Sequence, residues 1–78
     1  MPTILHEGPY RFFFYANDRN EPPHVHVEHE KKRAKFWLAP VQLERSSGFN
    51  RNEINRIRTL VEQNLETLLR GWNEYFTD

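Results

Sequence analysis

The chain has 78 residues, no cysteine, and eleven acidic and eleven basic side chains. This length fits one domain, residues 1–78, and the lack of cysteine excludes a disulfide scaffold and a thiolate-bound zinc site. No segment approaches the ~20 apolar residues of a membrane-spanning helix. The first residues also lack the basic start and apolar stretch of a signal peptide. We therefore expect a soluble, cytoplasmic protein without a membrane partner.

The first 45 residues are typical of an antiparallel sheet with four to five short strands. Gly8-Pro9 marks a turn, aromatic enrichment after it favours a strand, and the following polar segment up to Pro23 is typical of a loop. A polar turn at residues 30–32 joins two strands into a hairpin. Strands are expected at residues 3–6, 10–15, 24–29, 33–38 and 41–44.

Residues 50–77 are typical of a helical region. Asn50 is a favoured N-cap, and Glu53 three residues later completes a capping box. Beyond this start, apolar residues recur at spacings of three and four, as on one face of a helix. Gln63-Asn64 is the expected position of a break, so the region forms one long kinked helix or a helix pair. The predicted fold class is α+β, an antiparallel sheet followed by this helical region.

Charge and aromatic residues are unevenly distributed along the chain. Residues 31–58 carry eight basic and two acidic side chains, whereas the segments on either side have an acidic excess. A basic middle can bind nucleic acid, although solvated turn and helix faces would give the same composition. The aromatic strand at residues 10–15 carries rings on both faces, and exposed rings would favour a homodimer or a protein partner.

Two histidines on alternate residues, His24 and His26, follow a double proline. Alternate side chains of a strand share a face, so the imidazoles are expected to project together. Three interpretations are open. Near a phosphodiester the pair would serve as general acid and base, because histidine titrates close to neutral pH. With Glu28 the histidines offer three metal ligands. The third interpretation is a merely polar face of an outer strand.

Other side chains extend this candidate site. Arg11 and Lys35 lie in otherwise apolar strands and can hold a phosphate, or can pair with acidic residues across the sheet. Tyr15 can contact a base or a phosphate, and Asp18 beside it is typical of a turn. There is no glycine-rich phosphate loop, no recognised nucleophile and no paired-carboxylate motif. Kinases, nucleotide-cofactor enzymes and triad hydrolases are therefore poor interpretations, and no cofactor is expected.

Several sequence blocks are distinctive in combination, above all PPHVHV and KFWL. The blocks are Arg11–Tyr15, Asn17-Asp18, Pro22–Val27, Ala34–Leu38 and Trp72–Phe76. Together they resemble a family of very small bacterial proteins that long carried only the label domain of unknown function 4160. The resemblance implies a DhiT-like, growth-inhibiting toxin of a type II toxin–antitoxin pair, neutralised by direct binding of its cognate antitoxin protein. It implies no catalytic residues.

We combine the family resemblance with the candidate site residues to predict a function. The chain is expected to be a toxin and a metal-independent endoribonuclease that blocks translation. The catalytic candidates are His24, His26, Arg11 and Lys35, and the candidates for binding RNA or its phosphates are Tyr15, Asp18, Lys31, Lys32 and Arg33. One alternative is a non-catalytic protein-binding module that acts through its aromatic strand and sheet edge. Another is a metal-dependent hydrolase using His24, His26 and Glu28.

Overall fold

A computed structural model of the chain describes residues 3–77. Five antiparallel strands form one sheet, and strands that follow one another in the sequence are neighbours in space. They are β1 (Thr3–Glu7), β2 (Tyr10–Phe13), β3 (His24–His29), β4 (Lys32–Leu38) and β5 (Val41–Ser47). A short 3₁₀ helix, Ala16–Asn20, lies in the connection between β2 and β3. The predicted antiparallel sheet is confirmed, and its last strand runs to Ser47 rather than to residue 44.

Two helices complete the α+β fold, α1 (Arg51–Gln63) and α2 (Leu65–Tyr75). The capping box is confirmed, because the Glu53 backbone N–H donates to Asn50 Oδ1 at 2.8 Å and the Asn50 N–H donates to Glu53 Oε1 at 3.1 Å. Asn64 separates the helices, and its side-chain amide donates to the Leu60 carbonyl at 2.8 Å. The predicted break is therefore confirmed as a helix pair. Neither helix is long and apolar enough to cross a membrane.

The helices pack on one face of the sheet. Phe12, Val27 and Ala34 are cross-strand neighbours on that face, and their side chains join the apolar stripes of both helices in one core. At Gly71 of α2, an added Cβ would lie 3.0 Å from Cγ2 of Ile4 on β1. Because glycine has no side chain, α2 can lie close against the sheet. Each large apolar side chain that the core buries stabilises the fold by ~1.5–3 kcal/mol.

The aromatic strand β2 does not leave an exposed apolar surface. Phe12, Phe13 and the following Phe14 are each at most 1% exposed. Phe12 and Phe14 lie in the core, while Phe13 points to the opposite face and is covered there by polar and aromatic side chains. Of the aromatic residues predicted to form this strand, residues 10–15, Tyr15 is the exposed one, at 37%. Among the described residues, the large hydrophobic side chains that are exposed are Tyr15 and Tyr75.

The face of the sheet opposite the helices carries the residues that alternate with the core. Phe13, His26, Lys35 and Arg45 are successive cross-strand neighbours in β2, β3, β4 and β5. We call this surface the open face. Because alternate side chains of a strand share a face, it also carries Arg33 on β4. The open face therefore presents a row in which an aromatic ring, an imidazole and two cations lie side by side.

Candidate functional site

Asp18 and both histidines meet at the start of β3. Oδ2 of Asp18 lies 3.1 Å from Nε2 of His26, and Oδ1 lies 3.2 Å from Nε2 of His24. The 3₁₀ helix carries the carboxylate to this position, and the Tyr15 backbone N–H holds it by donating to Oδ2 at 2.7 Å. Aspartate often bonds neighbouring backbone groups in this way. We call Asp18, His24 and His26 the Asp–His cluster.

His24 is the interior member of the cluster. Its side chain is fully buried, and its ring centroid lies 5.0 Å from that of Trp72 and 5.5 Å from that of Trp37. Nδ1 lies 2.8 Å from the Pro22 carbonyl oxygen, and because a carbonyl only accepts, Nδ1 carries the hydrogen. Nε2, the other ring nitrogen, is buried and has no hydrogen-bond partner among the described residues. Burial thus keeps His24 from touching a substrate.

His26 is the accessible member of the cluster. Its ring stacks on Phe13 at a centroid distance of 5.5 Å and meets the edge of Tyr15 at 4.6 Å. Burial lowers the pKa of His26 from its usual 6.5, although the Asp18 carboxylate acts in the opposite direction. Because the carboxylate accepts from Nε2, Nδ1 is left with a lone pair. The described residues offer Nδ1 no hydrogen-bond partner, and it is not fully buried.

His26 lines a groove on the open face with a volume of about 200 Å³. Aromatic rings form one side of this groove, and cations and hydroxyl groups form the other. Its other lining residues are Phe13, Tyr15, Arg33, Ala34, Lys35, Arg45, Ser46 and Ser47. Cations attract a phosphate, and aromatic rings stack on bases. The groove therefore places an imidazole whose pKa is lowered beside cations and aromatic rings.

Lys35 lies beside His26 but its charge is already paired. Nζ of Lys35 donates to Glu21 Oε1 at 2.6 Å and lies 4.8 Å from the centre of the Trp37 ring. The hydrogen bond from Lys35 lowers the pKa of the Glu21 carboxyl. Lys35 was expected to share a face with the histidines. The register of β3 and β4 confirms this, because Lys35 is the direct cross-strand neighbour of His26.

Arg11 and Glu28 pair with each other outside the groove. Arg11 donates to Glu28 and to Thr3 Oγ1, and its guanidinium lies 4.3 Å from the centre of the Phe13 ring. Glu28 also accepts from Arg33. Glu28 is thus held by two arginines, and the carboxylate that lies beside the histidines is instead that of Asp18.

The basic turn between β3 and β4 contributes a single residue to the groove. Lys31 is exposed in the turn, and Lys32 donates to Glu53 of α1 at 2.9 Å. Arg33 alone among these three lines the groove, and its side chain is half exposed. The predicted RNA-binding set is thus divided. Tyr15 and Arg33 line the groove, Asp18 belongs to the Asp–His cluster, Lys31 is exposed in the turn and Lys32 contacts α1.

Two features of the site were absent from the sequence-based prediction. Arg45, Ser46 and Ser47 line the groove, but the strand that carries them was expected to end at residue 44. Asp18 was expected to form a turn or contact RNA, yet it bonds His26. Asp18 lies six residues before His24, in the connection that leads into β3. A carboxylate this close in sequence to two histidines could have suggested the contact.

Comparison with known protein families identifies the chain. Residues 10–73 match the model of a family described as a domain of unknown function, DUF4160. The chain belongs to the DUF4160 family. The DUF4160 match runs from the start of β2 into α2, so the whole Asp–His cluster and the whole groove lie within it. No curated protein and no solved structure matches the chain.

Proposed function

We propose that this DUF4160 chain is a cytoplasmic toxin of a type II toxin–antitoxin pair and that it cleaves RNA in the groove without a metal ion. One observation carries the proposal of RNA cleavage. The imidazole of His26 is oriented by Asp18 at 3.1 Å and lines a groove that also holds cations and an exposed tyrosine. The toxin assignment rests on the family resemblance in its sequence blocks.

The proposed reaction is an internal phosphoryl transfer. Nδ1 of His26 takes the proton of a ribose 2′-hydroxyl, and the 2′ oxygen attacks the adjacent phosphorus. A new phosphorus–oxygen bond closes a 2′,3′-cyclic phosphate, the bond to the 5′ oxygen breaks, and water supplies the proton to that leaving oxygen. The Asp18 carboxylate stabilises the imidazolium that forms, as an aspartate does for histidine in hydrolytic triads.

Charged side chains of the groove stabilise the negative charge that builds on the phosphate. The Arg45 side chain is 72% exposed, and among the described residues it pairs only with Glu44, at 3.5 Å. Its guanidinium is therefore available to phosphate oxygens. Arginine binds phosphate through a planar pair of N–H groups. Arg33 on the neighbouring strand pairs with Glu28 but is half exposed, and it adds a second, partly paired cation. This mechanism keeps His26 as a base and assigns no substrate contact to the buried His24.

The proposed partner is a cognate antitoxin protein that covers the groove. A surface with Arg33 and Arg45 attracts acidic side chains, and electrostatic complementarity favours rapid and specific association. An acidic antitoxin segment lying in the groove would exclude RNA from His26. Neutralisation would then need no change in the fold.

Growth of a bacterial host after induced expression tests the proposal. The host expresses the parent, His26→Gln or the matched control His6→Gln. His6 is a suitable control because it is exposed on β1. Soluble yield and circular dichroism establish that each chain folds. We expect arrest with the parent and with His6→Gln, and growth with His26→Gln. Arrest by folded His26→Gln would refute the cleavage mechanism. Normal growth with the parent would refute the toxin assignment.

A further inference from the structure

We propose that the Asp–His cluster is also a site for a divalent transition-metal ion, best matched by Zn²⁺, and that the ion inhibits the chain. The metal site stands on its own geometry, while the inhibition rests on the proposed function. Zn²⁺ takes imidazole nitrogens and carboxylate oxygens, and two histidines with one carboxylate form a familiar three-residue ligand set. The cluster offers this set from Asp18, His24 and His26.

The ligand atoms lie at separations that suit one ion. Asp18 oxygens lie 3.1 and 3.2 Å from the two Nε2 atoms, and the candidate ligand atoms all lie within 4.8 Å of one another. Ligands ~2.0–2.1 Å from a tetrahedral zinc lie about 3.3–3.4 Å apart. Because no two of these atoms are more than 4.8 Å apart, small shifts of the side chains bring them to zinc-binding distances.

The side chains of His24 and Asp18 make the kind of hydrogen bond that orients ligands in metal sites. Histidines that bind a metal usually donate their other N–H to a carbonyl or carboxylate. His24 does this through Nδ1 and the Pro22 carbonyl at 2.8 Å, and the Tyr15 backbone N–H fixes the Asp18 carboxylate at 2.7 Å. The Nε2 atom of His24 and the carboxylate are thus held in place before any ligand arrives.

An unpartnered buried nitrogen is the independent observation that points to a cation. Nε2 of His24 is buried and has no hydrogen-bond partner among the described residues, although it lies 3.2 Å from Oδ1 of Asp18. Leaving a buried polar atom without a partner is costly. A metal ion between this nitrogen and the carboxylate would give the nitrogen the partner that it lacks.

Metal binding and base catalysis compete for the same imidazole. When Nε2 of His26 gives its lone pair to the ion, the hydrogen of the neutral ring resides on Nδ1. Nδ1 is the atom that takes the 2′-hydroxyl proton in the proposed function, and once protonated it has no lone pair for this step. The metal-bound chain is therefore expected to be folded but inactive toward RNA.

Zinc titration of the purified full chain, freed of metal with a chelator, tests the site. We expect one Zn²⁺ per chain by calorimetry, a rise in the thermal unfolding midpoint with zinc, and the absorption of tetrahedral Co²⁺ when cobalt replaces it. His26→Gln and His24→Gln should each weaken binding at least tenfold, whereas His6→Gln should not. Because His24 is buried, misfolding is an alternative cause of weak binding by His24→Gln. His26 is partly exposed, so the His26→Gln result is free of this ambiguity. Failure of the parent to bind, or equal binding by folded His26→Gln, would overturn the site.

RNA cleavage with and without zinc separates the two claims. Cleavage in chelator that falls at least tenfold when zinc saturates the chain supports the inhibition. Cleavage that is unchanged or increased by bound zinc overturns the inhibition but leaves the metal site in place. If the parent binds zinc and cleaves no RNA in chelator, the proposed function and the inhibition both fail, and the site stands alone.

Discussion

Nε2 of His26 lies 3.1 Å from Oδ2 of Asp18, so a residue of β3 and a residue of the preceding 3₁₀ helix form one hydrogen-bonded pair. The pair fixes which nitrogen of the imidazole carries the hydrogen and which is left for chemistry. The same carboxylate faces His24 with its other oxygen. Asp18 is thus the residue that links the accessible and the buried histidine.

Replacing this carboxylate should remove most of the activity. Asp18→Asn keeps the size of the side chain but loses the charge that stabilises the imidazolium and holds the tautomer of His26. We expect RNA cleavage to fall by about 10²-fold or more, within the range of effects on acid–base catalysis. Single-turnover cleavage measures this change, with Glu62→Gln on the exposed side of α1 as the control. An unchanged rate in folded Asp18→Asn would contradict the proposed pair.

The groove cations should determine RNA affinity. Arg45→Glu reverses the charge of an exposed groove residue and is expected to weaken binding of a short single-stranded RNA. Each lost phosphate contact should also lower the slope of log affinity against log salt by about 1. Fluorescence anisotropy at several salt concentrations measures both, with Arg56→Glu on α1 as the control of equal charge change. Equal losses in the two variants would show that net charge, and not the groove, determines affinity.

The sequence predicts the fold well because its elements have local causes. The capping box at Asn50 and Glu53, the break beside Asn64 and the hairpin on β3 and β4 each depend on neighbours within a few residues. The extent of β5 does not follow from such causes. Its second half is polar and exposed, and it pairs with β4 through an irregular register near Lys35.

The site was predicted less well because its geometry is tertiary. Strand alternation gives His24 and His26 a shared face, but Trp72 of α2 packs on His24 and buries it. The alternation therefore could not show that the two imidazoles differ in access. The burial of Phe13 depends likewise on Tyr15 and His26 covering it from outside the strand.

The helix cap provides a test of the fold that is independent of function. Asn50→Ala removes the oxygen that accepts the Glu53 N–H at 2.8 Å, and loss of such a cap costs about 1 kcal/mol. Urea unfolding should show this loss in the free energy of unfolding. Asn52→Ala, two residues into α1 and exposed, is the matched control and should be neutral or slightly stabilising, because alanine is the better helix former. Equal destabilisation by both changes would contradict the role of the cap.

Acid should weaken the contact between the sheet and α1. A hydrogen bond from Lys32, and next one from the Asn50 N–H, lower the pKa of Glu53 from its usual 4.5. A carboxyl whose pKa is lower in the folded state contributes stability above its unfolded pKa, and this stability is lost as the pH falls through the folded pKa. The parent should therefore lose more stability than Glu53→Gln between pH 7 and pH 3. Equal losses in urea unfolding at the two pH values would refute this linkage.

The most informative experiment identifies the product that the purified chain leaves on a single-stranded RNA in the presence of a chelator. We expect cleavage that leaves a 2′,3′-cyclic phosphate and a free 5′-hydroxyl. We also expect no cleavage when every ribose is 2′-deoxy or 2′-O-methyl, and none above background with folded His26→Gln. Products with a 3′-hydroxyl and a 5′-phosphate, or equal cleavage by parent and His26→Gln, would contradict the role of His26 as the base.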